Sequence, residues 1–219
     1  MYRKYVKRLL DIILSGCGIV ILSPVYLLVA LAIVLDDPGP VFFRQKRVGI
    51  HKTHFQILKF RTMRTDTPKD VPTHLLSDPT KWITKTGAFL RRTSLDELPQ
   101  LFNVFKGDMS LVGPRPERES IMLEYEKELP EFYYRLKVKA GLTGYAQVYG
   151  KYNTTPYDKL KLDLFYIENY SFLLDIKLIF MTVKIFFQKE VSEGVDDRQV
   201  NALKDSGKNA GVSENKTEE

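Results

Sequence analysis

Apolar and polar positions follow one another along this chain with a changing period, and the changes divide it into elements. From Ile12 to Leu35 no charged residue occurs. At about 1.5 Å rise per residue such a run is long enough for a hydrocarbon core of roughly 30 Å. Ser23-Pro24 falls at its middle, where proline removes a backbone hydrogen bond and crowds the carbonyl of Val20. Arg3, Lys4, Lys7 and Arg8 precede the run, and Arg44, Lys46 and Arg47 follow it. Basic residues on both flanks put both ends on the cytoplasmic side. A helix that enters, bends and returns satisfies both observations. A spanning helix with a tolerated proline is the other reading, and physics alone leaves the two even. No small-residue cleavage site follows a short apolar core, so a signal peptide is not expected.

Beyond the turn Asp36-Asp37-Pro38-Gly39-Pro40, the segments Val41–Val48 and His54–Phe60 carry β-branched and aromatic residues around Gly49–Lys52, which predicts a β-hairpin. Residues 64–81 form a polar, proline-rich loop, either a lid or a plain surface connection. Trp82–Arg92 predicts a short helix with residues 87–90 toward the core. Leu95, Leu98, Leu101, Phe102 and Phe105 then recur at helical spacing. Ser94 and Glu97 fit a capping box, and Asp96 falls in the first turn, where a negative charge or a phosphate is favoured. Pro99 cannot donate four residues back, so this helix is bent at its start or begins later. Gly113-Pro114-Arg115-Pro116 is a stiff loop that restrains Arg115. Pro116–Leu136 reads as a charged outer helix, and Gly141 and Gly144 allow a tight turn or close approach to a ligand. Tyr157–Tyr170 and Ser171–Gln188 are aromatic-rich helical stretches. The second has a broad apolar face interrupted by Asp175, Lys177 and Lys184, and suits either a membrane interface or a soluble core. Beyond Lys189 apolar periodicity stops, and a disordered tail is expected. The expected organisation is a basic N-terminus with an apolar hairpin (1–36), a catalytic domain (37–189) and the tail (190–219). The fold class is α+β, mostly helical.

Charge sharpens this picture. The chain of 219 residues carries a formal +6, but residues 190–219 hold eight acids against four bases, so the preceding part carries +10. Such a body suits an anionic partner: membrane surface, nucleotide or nucleic acid. One cysteine, Cys17, excludes an internal disulfide and fits a reducing compartment. The three histidines, His51, His54 and His74, lie near turn residues and are too few for a zinc site.

Candidate chemistry centres on Asp96-Glu97, with Arg91 and Arg92 just upstream. Taken alone, Ser94 and Glu97 are more often a cap than a catalytic pair. Lys59 and Arg61 alternate around Phe60, so an extended chain points both to one side. That is a solvated strand face or a phosphate contact. Arg115 is equally suited to a structural salt bridge and to a forked grip on phosphate.

The run from Ser94 to Pro116, SLDELPQLFNVFKGDMSLVGPRP, resembles the signature of the bacterial sugar transferases, the small monotopic polyprenyl-phosphate hexose-1-phosphate transferases. The likeness continues at Lys59–Met63, Gly141–Val148, Asn169–Ser171 and Leu174–Lys177, and covers the chain in order to about Phe187. It implies transfer of a sugar 1-phosphate from a UDP-sugar to undecaprenyl phosphate, as a first membrane step of surface polysaccharide or glycoconjugate synthesis. Asp96 would be the nucleophile, and Glu97 would support it and Mg²⁺, the two carboxylates holding the metal. Lys59, Arg61, Arg91, Arg115 and Lys151 would bind phosphate or substrate. Ser23 and Pro24 would break a re-entrant membrane hairpin, placing the protein as a monotopic one on the cytoplasmic face of the bacterial inner membrane. Membrane lipid is an expected partner, nucleic acid is not, and a homo-oligomer stays open. Lys139-Ala140-Gly141 stands where the family usually has Arg-Pro-Gly, and Tyr149-Gly150-Lys151 where Asn-Gly-Arg is common, so sugar contacts are not carried over. Two other classes compete: a membrane-anchored basic binding module, which gives adjacent Asp96-Glu97 no role, and a glycosyltransferase that moves the sugar without its phosphate.

Overall fold

A computed structural model describes residues 2–68, 78–150 and 154–187. The apolar run forms two helices, α1 (Lys7–Ile21) and α2 (Ser23–Asp36), bent by 59° across Leu22. Neither helix is long and apolar enough to cross a membrane by itself. Pro24 sits in the first turn of α2, where its missing N–H costs nothing. Ser23 Oγ donates to the Val20 carbonyl at 2.8 Å, so the carbonyl that proline crowds is satisfied by its neighbour's hydroxyl. Outward-facing side chains along the pair are apolar: Ile13, Leu14, Val20, Ile21, Leu27, Leu28, Leu31 and Leu35 are exposed.

The predicted hairpin is present as β1 (Phe42–Val48) and β2 (His54–Phe60), antiparallel, with Phe43 opposite Lys59 and Arg47 opposite Phe55. The next helix, α3 (Lys85–Arg92), is capped by Thr84, whose hydroxyl accepts from Gly87 N. Of residues 87–90 only Gly87 and Leu90 are buried; Ala88 and Phe89 face outward, because one helical turn cannot point four successive residues inward. Gly87 lies against β2's end, where an added Cβ would sit 2.0 Å from the Thr62 carbonyl oxygen. Phe60, Leu90, Val29 and Ile33 form one core cluster, which joins the hairpin to the catalytic stretch through Leu95 and Leu98.

The capping box does not form. Ser94 is left-handed (φ 52°) and its side chain caps nothing; Leu95–Glu97 make a single 3₁₀ turn, and α4 spans Gln100–Lys106 with Pro99 at its N-cap. The later start expected from Pro99 is observed. Arg8 closes the other end, donating to the Val104 and Phe105 carbonyls at 2.6 and 2.7 Å. Those are carbonyls the last turn leaves open. α1 lies on α4 with Gly16 against Phe105 and Gly18 against Leu101.

A second sheet was not predicted: β3 (Ser110–Val112) pairs in parallel with β4 (Gly141–Thr143). Three-residue strands are too short to show periodicity, and Gly141 is there because backbone, not side chain, approaches it; a Cβ would lie 2.1 Å from Gly113 N. The outer helix α5 is shorter than expected (Glu119–Glu128), because Pro130 starts a 3₁₀ segment, Pro130–Lys137. A short α6 (Tyr145–Tyr149) precedes α7 (Pro156–Asn169) and α8 (Phe172–Phe187). α8 has two sides: Leu174, Leu178 and Ile179 pack against Val112 and Tyr166 as in a core helix, while Phe172, Leu173, Phe180 and Val183 are exposed. Asp175 interrupts the apolar face, as read from the sequence. It is buried, taking the Tyr2 hydroxyl (2.5 Å), the Lys7 ammonium (2.6 Å) and the Tyr166 hydroxyl (2.8 Å), and so ties α8 to the chain's beginning. The tail from 190 and His74 lie outside the described residues.

Candidate active site

The 3₁₀ turn Leu95–Glu97 lies against β2, and this contact puts two carboxylates at a cavity of about 930 Å³. Neighbouring carboxylates of one tight turn take different partners here. Glu97 is clamped: Lys59 Nζ donates to Oε1 at 2.7 Å, and Arg115 spans both oxygens, Nη2 to Oε1 at 2.5 Å and Nη1 to Oε2 at 3.2 Å. The Arg115 fork comes from the stiff loop Gly113–Pro116, and its own carbonyl is held by Arg135 Nη2 at 3.0 Å. Burial pushes the Glu97 carboxyl up, but the Arg115 and Lys59 charges outweigh it and hold it at about 2. Glu97 is therefore ionised throughout the physiological range.

Asp96 is the contrasting partner. Burial raises its carboxyl above the ordinary aspartate value, the Lys59 charge pulls it back, and Glu97 pushes it up again. Among the described residues no donor hydrogen-bonds its oxygens. An oxygen pair without donors, desolvated and facing open space, is what a nucleophile or a metal ligand requires. Arg91 stands nearby, its Nε donating to the Thr62 hydroxyl at 2.9 Å and its charge felt by Asp96. Burial lowers the Arg91 value and Asp96 opposes that.

Of the sequence-derived residues, Lys59, Arg91 and Arg115 converge on Asp96-Glu97. Arg61 is placed differently. It borders the cavity, yet its guanidinium is spent on the hairpin exit: Nε donates to Pro40 O at 2.6 Å and the Nη atoms to Asp37. It is a structural latch, because β2 ends at Phe60 and the chain turns Arg61 back toward α2's end. Lys151 lies outside the described residues. Ser23 and Pro24 sit at the bend as expected. The cavity also has basic residues that sequence reasoning passed over, Arg44, Arg47 and Arg118. Arg44 and Arg47 stand three apart on a strand and so alternate between its faces, and no local pattern marks them as a pair.

Mg²⁺ fits this donor set. It takes one or two carboxylates and fills its octahedron with water and substrate oxygens. Asp96 is free of donors, and Glu97 Oε2 accepts only one hydrogen bond, so each has lone pairs to give. No group of three or more acidic, histidine or cysteine side chains suited to a metal occurs among the described residues.

The structure gives a bent apolar helix pair and a cavity in which cations surround an acidic pair. The sequence identifies the chain further. Residues 2–189 match the bacterial sugar transferase family, and the chain belongs to that family. It is 39% identical over 183 residues to UDP-N-acetylgalactosamine-undecaprenyl-phosphate N-acetylgalactosaminephosphotransferase of Aeromonas hydrophila, covering 82% of this chain and 43% of that protein. With UDP-glucose:undecaprenyl-phosphate glucose-1-phosphate transferase of Escherichia coli (strain K12) it shares 42% over 186 residues, 82% of this chain and 40% of that protein. The chain thus spans about two fifths of the length of these two relatives. The exopolysaccharide production protein PSS of Rhizobium leguminosarum bv. phaseoli is 43% identical over 188 residues, covering 81% of this chain and 92% of that protein.

Proposed function

We propose that this protein transfers a sugar 1-phosphate from a UDP-sugar to undecaprenyl phosphate, through a covalent phosphosugar on Asp96, with release of UMP. The observation that carries the reading is the contrast within the dyad: Glu97 is neutralised by Lys59 and Arg115, while Asp96 keeps both oxygens open to the cavity.

In the first step an Asp96 carboxylate oxygen attacks the phosphorus that bears the sugar. The bond from that phosphorus to the bridging oxygen breaks, and UMP leaves with the electron pair. In the second step an oxygen of undecaprenyl phosphate attacks the same phosphorus, the Asp96–phosphorus bond breaks, and the carboxylate is restored. The products are lipid diphosphosugar and free enzyme, and no proton is needed from the protein in either displacement. Lys59, Arg91 and Arg115 offset the repulsion between a carboxylate and a phosphate ester. Mg²⁺, held by Asp96 and Glu97 when bound, would add charge neutralisation of the same kind. Burial strips water from Asp96, which strengthens these interactions and excludes hydrolysis of the intermediate.

The bent pair α1–α2 supports a re-entrant, monotopic placement at the cytoplasmic face of the bacterial inner membrane. The exposed apolar residues of α1, α2 and α8 enter the bilayer, and the cavity meets the headgroup level where the lipid phosphate resides. The reading is tested by quenching the protein mid-reaction with a UDP-sugar and analysing it by mass spectrometry. A phosphohexose adduct on the peptide containing Asp96, absent from Asp96→Asn, is expected. Product formation by Asp96→Asn at near the parental rate overturns it, and release of UDP rather than UMP would establish the glycosyltransferase alternative. Screening a panel of UDP-sugars for UMP release identifies the sugar.

A further inference from the structure

The cavity has further basic residues beside the dyad, on the side away from the hairpin exit. β1 carries Arg44 and Arg47 into its wall, and the loop before α5 adds Arg118. Arg47 is the unusual member. Nη1 reaches the Pro116 carbonyl at 3.3 Å and Nη2 reaches Gln45 Oε1 at 2.8 Å, both neutral acceptors. Its Nε–H is buried with no acceptor among the described residues. A buried donor left unmade is costly and calls for an explanation.

Its charge is equally unmet. The acids whose fields reach it are Glu117 and Glu97. Glu117 is already shared by Lys159 and Arg135, and Glu97 by Lys59 and Arg115. Arg118 and Arg115 press on it with like charge. Two arginines at one cavity, Arg47 and Arg118, without a carboxylate of their own make a site for an anion that comes from outside the protein.

Position selects the anion. Phe42, at the other end of β1, stacks on Phe60 at 5.5 Å beside the exit of the apolar hairpin. Arg47 lies five residues further along the strand, about 16 Å from that exit at roughly 3.3 Å per residue. A phosphate attached to a lipid enters from the hairpin side; a phosphate attached to a soluble group can occupy the far end. We propose that Arg47, with Arg118, forms an anion subsite that binds the phosphate of the departing nucleoside monophosphate. This inference rests on the UDP-sugar transferase reading. It extends that reading by giving the leaving group a site of its own, separate from the Lys59–Arg115 clamp on Glu97.

The test is direct binding of UMP and of inorganic phosphate to the full chain in nanodiscs, which needs no turnover. Arg47→Gln and, separately, Arg118→Gln are compared with the parent, and thermal unfolding confirms that each folds. Loss of one charged hydrogen bond predicts about tenfold or greater weakening of UMP binding, with KM for a short-chain polyprenyl phosphate unchanged. Arg47→Lys, which keeps charge without the fork, should fall between. Unchanged UMP affinity in both variants overturns the subsite, as does failure of the parent to bind UMP at millimolar concentration. Weakened polyprenyl phosphate use with intact UMP binding also overturns it and gives the site to the acceptor. A parent that binds UMP through these arginines but releases none from any UDP-sugar leaves the subsite standing and refutes the transferase reading instead.

Discussion

Removing the Arg115 guanidinium is the sharpest probe of the dyad. Glu97 is held at about 2 against an ordinary 4.5, a displacement of about 2.5 units. At 1.36 kcal/mol per unit that is about 3 kcal/mol in favour of the ionised form. The side chain is 19% exposed, so solvent screening is limited. Burial is the largest influence on this carboxyl and acts upward; Arg115 is the largest influence downward. With Arg115→Ala, burial is opposed chiefly by Lys59, and the Glu97 carboxyl moves up. The clamp also loses its two-point geometry, so the turn bearing Asp96 is no longer fixed. Steady-state UMP release should show kcat/KM lowered about 100-fold for Arg115→Ala, the size that about 3 kcal/mol allows, and by a smaller factor for Arg115→Lys. The acid limb of the pH profile should move to higher pH. The same pair should act on stability: a depressed carboxyl stabilises the fold fully above pH 4.5 and loses that contribution as pH falls through about 2. An Arg115→Ala enzyme within threefold of the parent, with its acid limb unmoved, refutes the assignment.

Four further outcomes follow from the same geometry. Asp96→Asn should raise the unfolding midpoint at pH 8, because a carboxyl raised by burial loses stability as pH rises through its folded value; the gain should vanish below about 3.8, where both forms are neutral. Gly87→Ala forces a Cβ onto the Thr62 carbonyl oxygen and should cost about 1–3 kcal/mol in denaturant unfolding, with activity falling as the Arg91–Thr62 contact shifts. Asp163→Ala takes from Arg135, 1% exposed, the partner it meets at 2.9 and 2.7 Å and leaves it Glu117 at 3.6 Å, which Lys159 shares; about 3 kcal/mol should be lost, read by urea melts. A thiol probe at the N-terminus should label from the same side of sealed vesicles as one on α5, and opposite-side labelling would exclude the bent pair as a re-entrant element.

The parts of this fold that repeat themselves were legible beforehand. The uncharged run, the hairpin about Gly49–Lys52, and helices α7 and α8 carry their period over many residues, so each announces its burial. Asp96, Glu97, Lys59, Arg91 and Arg115 were picked out by a family resemblance; the structure brings the first four to one cavity and sets Arg115 on Glu97. Three kinds of feature escaped. β3 and β4 are three residues each, below the length at which alternation can be read. Ser94 matched a capping box by residue type, but its left-handed backbone turns the hydroxyl from the role, and tertiary contacts took Glu97. Arg61 has the same local pattern as Lys59, and only the third dimension shows Asp37 waiting 24 positions earlier. Charge partners distant in sequence leave no local trace.

That last pairing links two environments. Asp37 and Pro40 belong to the exit of the apolar helices, and Arg61 follows Phe60 and Lys59 on the strand that meets Glu97. A shift of the hairpin is thus handed on to the dyad over a few covalent bonds. The end of α2 and the acidic pair are therefore tied to one three-residue stretch, Lys59–Phe60–Arg61, so a change at Asp37 should be felt at Glu97.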